Sequence, residues 1–290
     1  MKEHFMIRGS IDVMSGATPI QFAHHKSNDR PELHVLHINS YVEIFIYVSG
    51  DHSYIVDNSL YKMQRGDIIV INPLEVHKAL PARECEYERF FLLIDPRAFE
   101  GMSIDPLSGI LGRKSGSGNL ISLESKERGE VLRSLNAMSE CFKDGKNDTL
   151  RALSLLLGII DRINHHIEER HPSAESHRQT PHLLKAILTY VAENTADIQS
   201  TAEIADALGV TPQYLSNYFS KHIGTPLKAY IQTKKIALAK DMLSKGKDVT
   251  ETCYDCGFND CSYFIRVFKK HVGVTPHAFK QANRSGALPQ

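Results

Sequence analysis

Gly257-Phe258-Asn259-Asp260-Cys261-Ser262-Tyr263-Phe264-Ile265-Arg266-Val267-Phe268-Lys269-Lys270-His271-Val272-Gly273-Val274-Thr275-Pro276 is the stretch on which the reading of the fold turns. Gly257 breaks the preceding chain, and Asn259 and Asp260 are residues that cap helix N-termini. Phe264 and Phe268 stand four apart and share one helix face, with Val267 beside them. Ser262, Ile265, Arg266 and Lys269 project the other way. Gly273 stops the helix and Pro276 guards its exit. A short helix with an apolar back and a small-polar and basic front, entered through a tight turn, has the form of a helix that lies in a DNA groove.

The pattern occurs twice. In Ile204-Ala205-Asp206-Ala207-Leu208-Gly209-Val210-Thr211-Pro212-Gln213-Tyr214-Leu215-Ser216-Asn217-Tyr218-Phe219-Ser220-Lys221-His222-Ile223-Gly224, Leu215 and Phe219 match Phe264 and Phe268. Lys221-His222 matches Lys270-His271, and Gly224 matches Gly273. The offset is 49 residues, slipping by one at Gly209 and Gly257. Two copies are too few for a solenoid, so the spacing predicts two helix-turn-helix units. Between them, Leu227 to about Lys245 has no breaker, which predicts a rod about 28 Å long at ~1.5 Å per residue. That is close to the ~34 Å between successive major-groove faces.

The rest of the composition is that of a globular protein. At 290 residues the chain has room for about two domains. No apolar run nears the ~18 residues of a membrane span, and Met1-Lys2-Glu3-His4-Phe5 carries no signal-peptide core. The expectation is a cytoplasmic protein without membrane contact. Five scattered cysteines do not form a secreted disulfide framework. Net charge is zero overall, but it is +4 over residues 181–290 and −4 over residues 1–180. The positive excess therefore sits with the repeat, where phosphate contacts need it.

From His34 to Ile94, short runs rich in Val, Ile, Tyr and Phe alternate with turn signals, predicting a small antiparallel barrel or sandwich. Residues 1 to about 33 show no clear period, and Gly101 to Gly118 reads as loop. Two amphipathic segments, Leu123–Phe142 and Asp148–Glu169, predict a helical hairpin that packs on the barrel, on a second subunit, or on both. His171–His177 is polar and Pro-broken, as linkers are. Helices follow from Pro181.

Together these residues resemble the AraC/XylS family of bacterial transcription factors, strongly over about residues 183 to 282. The likeness rests on Ile204-Ala205, Tyr230 and Ala239 on the rod, and above all on Gly257-Phe258 through Phe268-Lys269-Lys270 to Gly273-Val274-Thr275-Pro276. Lys235 replaces the family's usual Arg, and Thr252-Cys253 its usual Ile-Ala. Less strongly, His37-Ile38-Asn39, Tyr41-Val42-Glu43, Gly66-Asp67, Asn72-Pro73 and Glu75-Val76-His77 resemble the family's cupin-like sensor barrel. The resemblance implies an α+β two-domain chain. Its parts are a cupin-like antiparallel β-barrel with a helical hairpin over 1–170, a linker over 171–181, and an all-α DNA-binding domain over 182–284. The helix-turn-helix units fall at about 201–224 and 249–273.

It also implies partners: double-stranded DNA, RNA polymerase, a small-molecule effector such as a carbohydrate, and a second copy of the chain. DNA-facing positions carried over are Gln213, Ser216, Asn217 and Ser220 in the first unit, and Cys261, Ser262, Ile265, Arg266 and Lys269 in the second. Effector-facing positions are His37, Asn39, Glu43 and His77. In metal-binding cupins a second His stands where Asn39 is, and an amide ligates such metals poorly; no metal or other cofactor is expected. No catalytic residue is expected either. Cys253, Cys256 and Cys261 lack a fourth ligand for a zinc set and read as small packing residues. Arg266 has the chemistry to grip guanine, and its plainer reading is a solvated helix arginine. The rival functions are a metal-dependent cupin enzyme fused to a DNA module and an effector-independent regulator.

Overall fold

The structure is a computed structural model, and it describes residues 5–13, 20–27, 36–50, 52–81, 87–169 and 180–284. Most of the expected linker (171–179) and Cys85 lie outside the described residues. Among the described residues of the first half there are nine strands: β1 (Phe5–Ile11), β2 (Ile20–Ser27), β3 (Val42–Ser49), β4 (His52–Val56), β5 (Ser59–Lys62), β6 (Ile68–Ile71), β7 (His77–Pro81), β8 (Tyr87–Ile94) and β9 (Leu120–Ile121). They pair antiparallel into a six-stranded sheet of order β1-β2-β8-β3-β6-β9 and a three-stranded sheet of order β5-β4-β7. A short helix, α1 (Ser108–Leu111), lies in the stretch expected to be loop.

The sheets face each other, and the side-chain period of two explains what fills each layer. From β3, Phe45 and Tyr47 join Tyr54, Val56, Tyr61 and Ala79 of the small sheet in one apolar cluster. The alternate residues Val42, Ile44 and Ile46 face a larger cluster under two helices, α2 (Ser125–Phe142) and α3 (Thr149–Glu169). These helices are the hairpin expected from the apolar periodicity. β1 and β2 were not legible as strands. Their faces mix Ile7, Ile11, Ile20 and Phe22, which pack in the large cluster, with Met6, Arg8 and Gln21, which face a cavity.

The second half is helical: α4 (His182–Asn194), α5 (Thr201–Ala207), α6 (Pro212–Ile223), α7 (Leu227–Ser244), α8 (Val249–Asp255), α9 (Cys261–Val272) and α10 (Pro276–Arg284). No helix among the described residues is long and apolar enough to cross a membrane. One cluster gathers Leu184, Leu215, Phe219 and Tyr230 from α4, α6 and α7, and another gathers Ile236, Leu243, Phe264, Phe268 and Phe279 from α7, α9 and α10. α7 therefore contributes to both. The first of these clusters also takes Ile55 from the outer side of the small sheet, with Leu36 and Val76 beside it. The order of layers is helical hairpin, large sheet, small sheet, C-terminal helices.

Candidate nucleic-acid interface and ligand cavity

α6 and α9 are built by the same local rules. Thr211 caps α6 by accepting the Tyr214 N–H at 3.2 Å, with Pro212 at the first helical position, where its missing N–H leaves nothing unsatisfied. Asp260 caps α9 by accepting the N–H groups of Ser262 (2.7 Å) and Tyr263 (3.2 Å). Each ends on a glycine in the left-handed region, Gly224 at φ 64° and Gly273 at φ 85°. Leu215, Phe219 and Ile223 bury the back of α6; Phe264, Val267 and Phe268 bury that of α9.

The outward faces carry the residues singled out from sequence. On α6, Gln213 and Asn217 are exposed and joined by a 3.1 Å bond from Gln213 Nε2 to Asn217 Oδ1; Ser216 and Ser220 are half-buried. On α9, Ser262, Ile265, Arg266 and Lys269 are exposed and Cys261 is half-buried. Sequence reasoning passed over Tyr214, Tyr254 and Tyr263, which are exposed at 52%, 58% and 40%. Large rings left in water beside these faces are the signal that was available. Tyr263 Oη accepts from Gln232 Nε2 of α7 at 2.7 Å.

The two helix pairs are tied together by Lys235. Its ammonium is buried against the Phe258 ring and donates to Ile198 O and Gly257 O, both at 2.7 Å. Standing where the family usually has Arg, this Lys bonds two backbone carbonyls, one before α5 and one before α9. Burial pushes its pKa down. Asn259 Nδ2 adds a 2.9 Å bond to Gln199 Oε1 across the same seam. Cys253 and Cys256 are fully buried, with thiols pushed up to about 12 chiefly by burial, so they are inert packing groups.

A cavity of about 760 Å³ opens between the sheets. His37, Glu43 and His77 meet at its wall, their ligand atoms all within 4.8 Å of one another. The ladder explains the meeting: His37 and His77 exchange backbone bonds at 3.2 and 3.1 Å. The Glu75 carboxylate holds the turn before β7 by accepting from Asn72 N, Gly116 N and Asn119 Nδ2, each at 2.7 Å. His77 Nδ1 donates to Glu75 O at 2.8 Å, which turns Nε2 toward Glu43 Oε2 at 3.2 Å. Burial works against charge on both groups. The facing charges outweigh it, raising the His77 pKa and holding the Glu43 carboxyl below its usual range.

Asn39 also reaches the group. Its amide donates to Glu43 Oε1, while its Oδ1 accepts from Tyr41 N at 3.0 Å. Both ends are thus engaged, leaving two imidazoles and one carboxylate as a donor set for a divalent cation. The rest of the cavity was not legible from sequence. Phe45, Phe91 and Tyr54 make flat walls, and Arg8 and Arg89 bring positive charge, the Arg89 guanidinium lying 5.3 Å from the Phe45 ring centre.

A family described as "Helix-turn-helix domain" matches residues 204–282, the span from α5 into α10. "Transcriptional activator RhrA" of Rhizobium meliloti is 35% identical over 106 residues, 35% of this chain and 33% of that protein. The "Uncharacterized HTH-type transcriptional regulator in cgkA 5'region" of Pseudoalteromonas carrageenovora is 32% identical over 114 residues, 39% of this chain and 68% of that protein. Among solved structures, the C-terminal domain of the response regulator yesN from Fusobacterium nucleatum is 28% identical, covering 34% of this chain and 99% of that one, at a TM-score of 0.33. The chain spans between a third and about half of the length of the first curated relatives it matches. With a helix-turn-helix region matched throughout and that level of identity to a regulator covered over two thirds of its length, the chain belongs to the AraC/XylS-type family of helix-turn-helix transcriptional regulators.

Proposed function

We propose that the chain is a sequence-specific DNA-binding transcription regulator controlled by a small molecule held between its sheets. The observation that carries this is the pair of matched, doubly capped helices, α6 and α9, each with a polar face exposed and both tied to one frame through α7 and Lys235. Two helix-turn-helix units joined by α7 would lie in successive major grooves. Gln213 and Asn217 would address adenine edges, Arg266 a guanine, and Ile265 a thymine methyl. Ser216, Ser220, Cys261, Ser262 and Lys269 would complete the contacts to bases and phosphates. The positive excess of residues 181–290 supports this assignment.

In this reading residues 1–170 form a cupin-like effector and dimerisation domain and residues 182–284 the DNA-binding domain. The hairpin α2–α3 joins two copies, and bound dimers contact RNA polymerase. The effector sits in the cavity near His37, Asn39, Glu43 and His77. Arginines and flat rings suit a small polar or anionic molecule, carbohydrates included. The test is band retardation of the DNA upstream of the chain's own gene. Salt-sensitive retardation is expected, with Arg266→Ala binding about tenfold or more weakly, in line with ~1–3 kcal/mol for a base contact. Retardation equal for that DNA and for random DNA overturns the reading.

A second reading is favoured by the His37–Glu43–His77 cluster. Two imidazoles and a carboxylate are the donor set of a metal-dependent cupin enzyme fused to a DNA module. It requires one equivalent of metal in the purified protein, lost in His77→Ala. Elemental analysis decides between the two.

A further inference from the structure

The strand β7 has two faces that belong to different parts of the molecule. His77 and Ala79 line the cavity. Lys78, between them, points to the opposite side and is only 4% exposed. Its ammonium donates to Ile223 O (3.0 Å), Gly224 O (2.9 Å) and Thr225 Oγ1 (2.9 Å). These acceptors lie at the C-terminal end of α6, where a helix leaves its last carbonyls without intrahelical partners and carries partial negative charge. Asp57, at the end of the neighbouring β4, acts alongside. Its Oδ1 accepts from Val76 N at 3.0 Å and from Lys234 Nζ at 2.7 Å, and its carbonyl accepts from the Tyr230 hydroxyl. Both contacts hold the α6–α7 region to the strands that wall the cavity.

Among the described residues the second helix pair has no such attachment at the matching position. A side chain grown on Gly224 would meet Lys78 Nζ at 3.3 Å, whereas one grown on Gly273 would meet nothing within 4 Å. α6 packs in the cluster that includes Ile55 of the small sheet and Val76 just before β7, and α9 packs in a separate one, which Ile38 also touches. We propose that Lys78 is the mechanical link through which occupation of the cavity sets the position of the C-terminal end of α6 relative to α7 and α9, while Asp57 holds α7 through Tyr230 and Lys234. The inference rests on reading the cavity as the effector site and α6 as a DNA-reading helix. Its physical basis is the pleat. A ligand that displaces His77 or Ala79 must displace the intervening residue, because successive residues of a strand share one backbone. A buried ammonium with three oxygen acceptors follows its acceptors rather than parting from them, since separation would leave the charge unpaired. The first reading helix thus moves with β7 while the second stays with α7 and α10.

Hydrogen exchange on the full chain, with neither DNA nor ligand added, tests the link. Four proteins are compared: wild type, Glu43→Gln to perturb the cavity wall, Lys78→Met to cut the link, and the double variant. Lys78→Met is expected to speed exchange over residues 219–227 about tenfold and to leave residues 268–273 unchanged. Glu43→Gln is expected to change exchange over 219–227 at least threefold, and that change is expected to vanish in the double variant. Because Lys78→Met can fail to fold, Lys78→Gln, which removes the charge and keeps only a shorter amide donor, carries the same comparison. The proposal is overturned if Glu43→Gln leaves residues 219–227 as in wild type, or if its effect is the same with and without Lys78. An equal response at residues 268–273 overturns it too. Absence of coupling in a protein that retards its DNA sinks the link alone, and coupling in a protein that does not retard DNA sinks the functional reading alone.

Discussion

Gly257 reads in the sequence as a turn residue, and its φ of 81° agrees with that. Its surroundings add a second demand. A Cβ there would lie 1.9 Å from Ala196 O and 2.7 Å from Lys235 Nζ. Gly257→Ala is therefore expected to lose about 1–3 kcal/mol from the left-handed conformation alone, with the backbone clash on top; urea unfolding measures it, and a loss under 1 kcal/mol would contradict the close approach. Lys240 presents a charge instead of a steric constraint. It is 5% exposed, reaches Ser40 Oγ at 3.2 Å, and burial lowers its pKa from 10.5 to about 8. Between those values the unfolded chain holds a proton that the folded chain has released, so stability must rise with pH across that window. The gain is at most about 3 kcal/mol. Lys240→Met is expected to flatten this rise, and denaturant midpoints from pH 7.5 to 10 would show it. Neither partner of these residues was visible in the sequence, because Ala196 and Ser40 are distant along the chain.

The helices were legible and several strands were not, for identifiable reasons. α6 and α9 carry their own start and stop signals and repeat their apolar spacing 49 residues apart, so local chemistry suffices to place them. Asp260→Ala is expected to cost about 1 kcal/mol, as caps commonly do, and to speed exchange in the first turn of α9 while α6 stays protected. No change in either would mean that packing of Phe264 and Phe268 alone holds the helix. β2 is the opposite case. Its inward face runs Ile20, Phe22, His24, and the third is a buried imidazole stacked 3.9 Å from Phe90, bonded to Ser139 Oγ and to Glu88 Oε1 at 2.9 Å each. A polar residue satisfied by partners 64 and 115 positions away breaks the apolar alternation by which strands are recognised. β7 is hidden likewise, since Lys78 is buried only because α6 covers it.

At the scale of the molecule, the sheets and the C-terminal helices share an apolar cluster in which Ile55 and Val76 sit among Leu215, Phe219 and Tyr230. The sequence reading expected two domains joined by a linker. The shared cluster predicts that the described halves unfold together in one calorimetric transition. Ile55→Ala, which opens a space in it at a cost of about 2–5 kcal/mol, is expected to split that transition into two. Two well-separated transitions already present in the wild type would show that the shared cluster contributes little.

The amino-acid sequence by itself determined the helical half: two capped helices with apolar backs, the rod between them, and the polar and basic residues on their fronts. These follow from contacts within a few residues, where spacing is geometry. It also named His37, Asn39, Glu43 and His77 without saying what surrounds them. Only the tertiary structure decided which face of each strand looks into the cavity. In β3 the residues Val42 to Tyr47 are all buried, half against the helical hairpin and half against the small sheet. Between Val42 and Tyr47 every residue but Glu43 is apolar, so the pattern of a strand covered on both sides barely marks inside from outside. The same holds for Lys78, whose role exists only where α6 ends.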